Sequence, residues 1–570
     1  MNALKGAFCF SRRGMQVKLS MRICVIAVCL LLVVTPLAAQ HDAVSSMSLE
    51  HKVAQMFMVT LHGQVMTEVG SQFLREWQPG AISLFGANIT TPDAVTRLTN
   101  NFQQTITDAG GVPLLIAIDQ EGGLVARLTE ANGFTVFPAP VLITAAGNQM
   151  AYRVGAAVAE ELSGVGINMN LAPVADLETN RENPIIFRRS FGNDPELAGA
   201  AIAQFVRGSQ SRNVLATAKH FPGHGETRED SHGVLPRLDL DRGRVETVEL
   251  VPFQRAIDAG AAVIMVGHLW YPALDPTPNM PASLSRTIIT DLLRGEMGYD
   301  GLIMTDAMDM DGVDTLYNLY DAVVMAVQAG VDIVTMGPGN NDVTAAQAMQ
   351  RVVDEVRAGN ISEERIDESV RRILAAKERF DVLDWQPLDP AGSVGRVNAE
   401  THHALLEDLF RAGVTVAYDN GDHVPITPER RVANIFLGTR YQIYNECSLY
   451  ANPDNTRYLS ISESPDSGLI ASAMELANWA DTAVVWTQEA IRTPEQQALV
   501  NALPQDKTVA VALWSPDDWT TYPNVSAFIA TYSPLLPAAP AACEVLYGQI
   551  PANGRLAVTM GDLQAGSRDG

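Results

Sequence analysis

The sequence predicts an α/β protein, a (β/α)8 barrel of the TIM type followed by a smaller α/β sandwich. Three observations predict it. Eight short apolar runs recur between residues 56 and 336, most of them apolar on both faces, as parallel strands covered by helices must be. Amphipathic stretches separate the runs, so the alternation fits a barrel with insertions, whose usual length is about 250 residues. Polar residues collect at the strand ends that lead into the next helix. In a barrel those ends converge on one mouth, whereas in an open doubly wound sheet they spread along an edge.

The strand-like runs are Met56–Leu61, Ala81–Phe85, Leu114–Asp119, Ile167–Val174, Val214–His220, Ala262–His268, Leu302–Ala307 and Ile333–Met336. The polar ends are Asp119-Gln120-Glu121, Asp176, Lys219-His220, His268 and Asp306. Ser362 is placed to cap the last barrel helix, with Ile366, Val370, Ile373 and Leu374 on one face. The Pro/Gly-containing stretch after Phe380 reads as a linker over residues 384–395. Beyond it Val414–Tyr418, Val432–Leu437, Thr482–Thr487, Thr508–Trp514 and Ser526–Tyr532 read as five strands with helical patterns between them. The expected division is therefore a barrel over residues 44–383 and a sandwich over 396–570. No residue cluster in the sandwich is assigned to chemistry.

Composition narrows the function. Of the 570 residues 47% are hydrophobic and 18% charged, which excludes wholesale disorder. The 65 acidic against 40 basic residues give a formal net charge of −25, and such a surface repels phosphate backbones, excluding a nucleic-acid partner. Residues 1–39 carry Lys5, Arg12, Arg13, Lys18 and Arg22, then the apolar run Ile23–Val34 and small residues to Ala39. This reads as an export signal cut near Ala39, its apolar run being shorter than the roughly 20 residues of a membrane span. An uncleaved anchor is the alternative. Cleavage removes those five basic and no acidic residues, taking the charge from −25 to −30 and leaving a periplasmic or extracellular chain without a stable span. Cys447 and Cys543 then remain, either as a disulfide or as two buried thiols.

The densest chemistry lies in Lys219–His232, with three of the ten histidines. Pro222, Gly223 and Gly225 make it a loop at the mouth. The four-residue spacing of His220 and His224 resembles a helical zinc motif, but the loop breaks that geometry, so no metal is expected. A structural loop with histidines satisfied by backbone carbonyls suits His224. Asp230 beside His232 suits a general acid/base, because the carboxylate fixes the tautomer and stabilises the charged ring. Asp306 ends an apolar strand that has no use for an unpaired carboxylate, and facing the mouth it is a candidate nucleophile toward a sugar carbon. Asp309, Asp311 and Asp314 read as solvated or capping acids.

These residues carry a resemblance. Lys219–His232 resembles the signature loop of family 3 glycoside hydrolases of the β-N-acetylhexosaminidase branch. Asp119–Gly123, Arg189–Gly192 and Thr305-Asp306 are similar to further blocks of that family in the same order, over residues 48–380. The resemblance implies Asp306 as nucleophile and His232 as acid/base with Asp230 as its partner. It implies Asp119, Arg127, Arg189, Lys219 and His220 as ligands of the terminal sugar. On their own chemistry Arg189 equally suits a clamp between loops, Glu121 suits a structural partner better than a second nucleophile, and Asp176 and His268 suit site wall and scaffold alike. It also implies N-acetylglucosaminides such as peptidoglycan fragments or chitooligosaccharides as substrate, and no cofactor. Leu124, where arginine is common, and Arg188, where a small or acidic residue is usual, depart from the pattern and bear on substrate preference. A phosphorylase that passes the sugar to phosphate, which a neutral His232 repels less than a carboxylate would, stays open at this stage, and so does a β-glucosidase. A non-catalytic cell-wall-binding barrel has no need of Asp306, Asp230 and His232.

Overall fold

The computed structural model describes residues 44–568. The export-signal reading lies outside them. Eight parallel strands form one sheet: β1 Phe57–Thr60, β2 Ala81–Leu84, β3 Leu115–Ile118, β4 Met169–Asn170, β5 Leu215–Phe221, β6 Val263–Val266, β7 Leu302–Thr305 and β8 Val334–Thr335. The neighbours run β8-β1-β2-β3-β4-β5-β6-β7. A parallel bridge Met304–Ile333, with Thr335 N–H donating to Thr305 Oγ1, brings β7 back to β8 and nearly closes the barrel.

All eight predicted strands are present because each is buried throughout, so apolar composition alone marks it. The helix Glu363–Arg379 starts where Ser362 accepts from Arg365 N–H, and Ile366, Val370, Ile373 and Leu374 are buried. Burial of each such side chain contributes about 1.5–3 kcal/mol.

The second sheet has the order β9-β14-β13-β12-β10-β11. Its strands are β9 Thr415–Asp419, β10 Val432–Leu437, β11 Thr456–Ile461, β12 Thr482–Thr487, β13 Thr508–Ala512 and β14 Ala527–Ala530. The expectation of five strands is corrected to six. The unforeseen β11 lies at the sheet edge with mostly half-exposed residues, so its sequence has no apolar run to betray it. Only β9 pairs antiparallel, with β14.

The segment between the two sheets is strapped down. Asn100 exchanges two hydrogen bonds with the Leu388 backbone, and Arg396 Nε donates to Gly164 O. His402, at the start of the following helix, bonds Glu161 at 2.7 Å and Glu160 at 3.0 Å. Gly192 has φ 135°, and a Cβ there would lie 2.3 Å from Ala557 O, so only glycine lets the two units approach this closely.

Cys447 and Cys543 are bonded, with Cα atoms 5.0 Å apart, tying the helix Gln442–Cys447 to the helix Ala538–Leu546. Closing a 96-residue separation restricts the unfolded chain. Replacing both cysteines by alanine is therefore expected to cost roughly 4 kcal/mol, read from the urea midpoint of the second unit's transition.

Candidate active site

The strand ends meet as their polarity predicts. β3 delivers Asp119, whose Oδ1 accepts from Lys219 Nζ at 2.6 Å, while Arg127 Nη2 lies 3.9 Å from Oδ2. Arg127 is carried on a small hairpin that Gln120 clamps, its Oε1 accepting from the N–H groups of Arg127 and Leu128. Arg127 Nε is buried without an acceptor. Glu121 is buried under this pair. It receives both Nε and Nη2 of Arg189 at 2.8 Å and Lys219 Nζ at 2.7 Å. Burial alone would push Glu121 up, but Arg189 and Lys219 outweigh it and hold the carboxyl at about 2. The same two acids hold Lys219 up against its burial, so it stays a cation. Asp119, Arg127, Arg189 and Lys219 thus form one ionic cluster around Glu121, a structural partner.

A second layer lies under β5. Asp176 is buried, and its carboxylate accepts from His220 N–H, His224 N–H and His220 Nδ1, the last at 2.7 Å. This fixes His220 with Nε2 as its outward nitrogen. Burial would raise Asp176, yet His220, His224 and these bonds bring it below the usual carboxylate range. Asp176 is therefore scaffold, resolving the alternative left by its sequence.

His224 differs from expectation. Its Nδ1 meets Thr227 Oγ1 at 2.8 Å and its Nε2 meets Ser231 Oγ at 2.9 Å, so hydroxyls rather than backbone carbonyls satisfy it. Burial, aided by His220, pushes His224 down to about 4. An unfolded histidine titrates near 6.5, so between these values the unfolded chain binds the extra proton and His224 costs stability as pH falls. The stability advantage of wild type over His224→Gln is expected to shrink by about 2 kcal/mol between pH 7 and 5, measured by urea melts at both.

Asp306 ends β7, partly buried, and its Oδ1 accepts from Ala307 N–H at 2.8 Å. Burial pushes its carboxyl up, but nearby His220 and His268, the Ala307 N–H and Lys219 outweigh that and hold it below its ordinary value. The mouth therefore holds Asp306 as a carboxylate. His268 is wholly buried beside it, bonding Ser283 Oγ at 2.7 Å and Ala307 O at 2.9 Å, and burial pushes it down. It is scaffold as well. Asp309 is not the solvated acid its sequence suggests: it is partly buried and accepts from Gly339 N–H in the loop after β8.

Asp230 and His232 stand apart from this floor on an exposed loop. Asp230 Oδ1 accepts from His232 N–H and pairs with His232 Nδ1, both at 2.7 Å, leaving Nε2 as the free nitrogen of a 66% exposed side chain. The loop is tied to the floor where Gly312 N–H, beyond Asp306, donates to Ser231 O.

Of the sequence-marked departures, Leu124 is exposed, while Arg188 turns away from the floor and lies 3.9 Å from the centre of the Trp514 ring in the second unit. Asn183 carries no mark in the sequence, and Gln120, marked there only as a polar strand end, also orders a loop through its amide. Their neighbours in sequence carry no periodicity that signals such a role.

Known proteins share the sequence and fold of this barrel. The profile described as the glycosyl hydrolase family 3 N terminal domain matches residues 48–376. A beta-hexosaminidase A of Pseudoalteromonas piscicida is 33% identical over 403 residues, covering 66% of this chain and 67% of that protein. The solved structure of a family 3 beta-N-acetylglucosaminidase from Paenibacillus sp. FPU-7 superposes with a TM-score of 0.77 at 33% identity, over 91% of this chain and all of that one. A beta-glucoside phosphorylase at 22% identity and a TM-score of 0.75, covering 92% of this chain and 95% of that one, shares the fold. With the profile spanning more than half its length and the barrel mouth built as described, the chain belongs to glycosyl hydrolase family 3 and is a glycoside hydrolase.

Proposed function

We propose that the protein is an exported, retaining exo-β-N-acetylglucosaminidase acting on peptidoglycan fragments or chitooligosaccharides. One observation carries the reading: a carboxylate kept ionised at the barrel mouth, Asp306, is combined with a solvent-facing imidazole, His232, whose Nδ1 is taken by Asp230. Retaining glycosidases need a nucleophile and a separate acid/base, and here an imidazole replaces the usual second carboxylate.

In this reading the Asp306 carboxylate attacks the anomeric carbon of the terminal sugar while the bond to the leaving oxygen breaks. The His232 imidazolium gives its Nε2 proton to that oxygen. Neutral His232 then takes a proton from water, water attacks the same carbon, and the bond to Asp306 breaks with net retention. Asp230 keeps the proton traffic on Nε2 by holding Nδ1–H. Asp119, Lys219, Arg127, Arg189 and His220 hold the hydroxyls of the sugar, charge-assisted bonds being the strong ones. The Cys447–Cys543 bond supports export, since disulfides persist in oxidising compartments. Among the described residues no helix is long and apolar enough to cross a membrane.

The test is product analysis with nitrophenyl N-acetyl-β-glucosaminide and nitrophenyl β-glucoside, each with and without phosphate. Free N-acetylglucosamine at a phosphate-independent rate, faster than glucose, is expected. Sugar-1-phosphate redirects the reading to a phosphorylase, faster glucose release to a β-glucosidase, and binding without release ends the enzymatic reading.

A further inference from the structure

The dyad loop has little structure of its own. Arg228, Glu229, Asp230 and His232 are exposed, while His224, Thr227 and Ser231 are buried. Its position is therefore set by what holds residues 224–231. One anchor is Gly312, described above. The other is the loop that follows β4. Asn183 Nδ2 donates to His224 O and Gly225 O at 2.9 Å, and Asn180 Nδ2 donates to Thr227 O at 3.2 Å. Gly225 sits so close that a Cβ would lie 1.7 Å from Leu177 O. From there His224 reaches Ser231, between Asp230 and His232.

That β4 loop is in turn gripped by the second unit. Arg181 Nε lies 2.7 Å from Asp517 Oδ1. Arg188 pairs with Glu489 and is layered between the rings of Trp514, at 3.9 Å, and Phe187, at 4.8 Å. Arg492 covers Phe187 at 4.6 Å. Glu178 is buried beside Asp517, and burial together with the Asp517 charge pushes its carboxyl well above the usual carboxylate range. At the loop's far end Asn193 exchanges two hydrogen bonds with Thr559.

We propose that the second unit serves the reaction through Trp514 and Asp517, positioning residues that brace the β4 loop and thereby hold the Asp230–His232 loop over Asp306. The proposal rests on the hydrolase reading above and assigns the second unit a task its sequence did not disclose. It also explains the departure at Arg188, whose side chain is spent on the contact with Trp514.

The test separates positioning of the acid from general damage by the leaving group. A dinitrophenyl glycoside departs without protonation, whereas a chitooligosaccharide needs it. Trp514→Ala and Asp517→Asn are expected to lower kcat/KM on chitobiose by about 5- to 30-fold. On dinitrophenyl N-acetyl-β-glucosaminide the loss is expected to stay below about threefold. Trp514→Phe, which keeps a ring over Arg188, is expected to restore most of the chitobiose activity. Equal losses on both substrates in folded variants, or no loss on either, overturn the proposal. A wild-type protein that cleaves neither substrate removes the hydrolase reading and this one with it, an outcome distinct from an active wild type with indifferent variants.

Discussion

Asp306→Asn is expected to lower kcat by on the order of 10⁴-fold or more, with a melting temperature within about 3 °C of wild type. The size follows from its task. A covalent mechanism has no other unengaged carboxylate at the mouth to form the glycosyl bond, since Asp119 is held by Lys219 with Arg127 beside it. Glu121 is locked between Arg189 and Lys219 beneath the mouth, and Asp176 is locked beneath His220. The small stability change follows from the surroundings. Asparagine keeps an oxygen to accept from Ala307 N–H, and the attraction of His220, His268 and Lys219 that is lost is largely offset by the burial penalty removed with the charge. Steady-state kinetics with a nitrophenyl substrate and a thermal melt of the same sample check both halves.

His232→Ala is expected to lower kcat/KM on a sugar leaving group by about 10²- to 10⁴-fold, and much less on a dinitrophenyl leaving group. The side chain is 66% exposed and its partner Asp230 is half-exposed on the same loop, so the fold should not change. Asp230→Asn should reproduce part of the loss. The amide oxygen still accepts from the backbone N–H of His232, but a neutral acceptor holds Nδ1–H less firmly than the carboxylate does. With the dinitrophenyl substrate His232→Ala should instead accumulate the glycosyl-enzyme, because deglycosylation has lost its base. A burst followed by a slow steady state reports this.

Much of the barrel and the placement of its polar strand ends were legible in the sequence because both are written locally. Buried parallel strands are apolar on both faces, and a polar residue at the end of such a strand has few explanations besides the mouth. Asp119, Lys219 and Asp306 were found this way. Glu121 was foreseen as a structural partner, yet its bidentate grip on Arg189 joins residues far apart in the chain and is visible only in three dimensions. The hydroxyl partners of His224 were misread because Thr227 and Ser231 resemble ordinary loop residues. Strand β11 was missed for the opposite reason: an edge strand that is half-exposed need not be apolar. The bracing of the β4 loop by Trp514 and Asp517 depends on how two units meet, which no local pattern records.

The most direct measurement is mass spectrometry of the protein incubated with a 5-fluoro N-acetylglucosaminyl fluoride, which forms the glycosyl-enzyme faster than water releases it. The account predicts one added glycosyl group per chain, located after digestion on the peptide that contains Asp306 and absent from Asp306→Asn. An active wild type that consumes the reagent without any adduct at Asp306 would contradict it and point to attack by the substrate's own acetamido group.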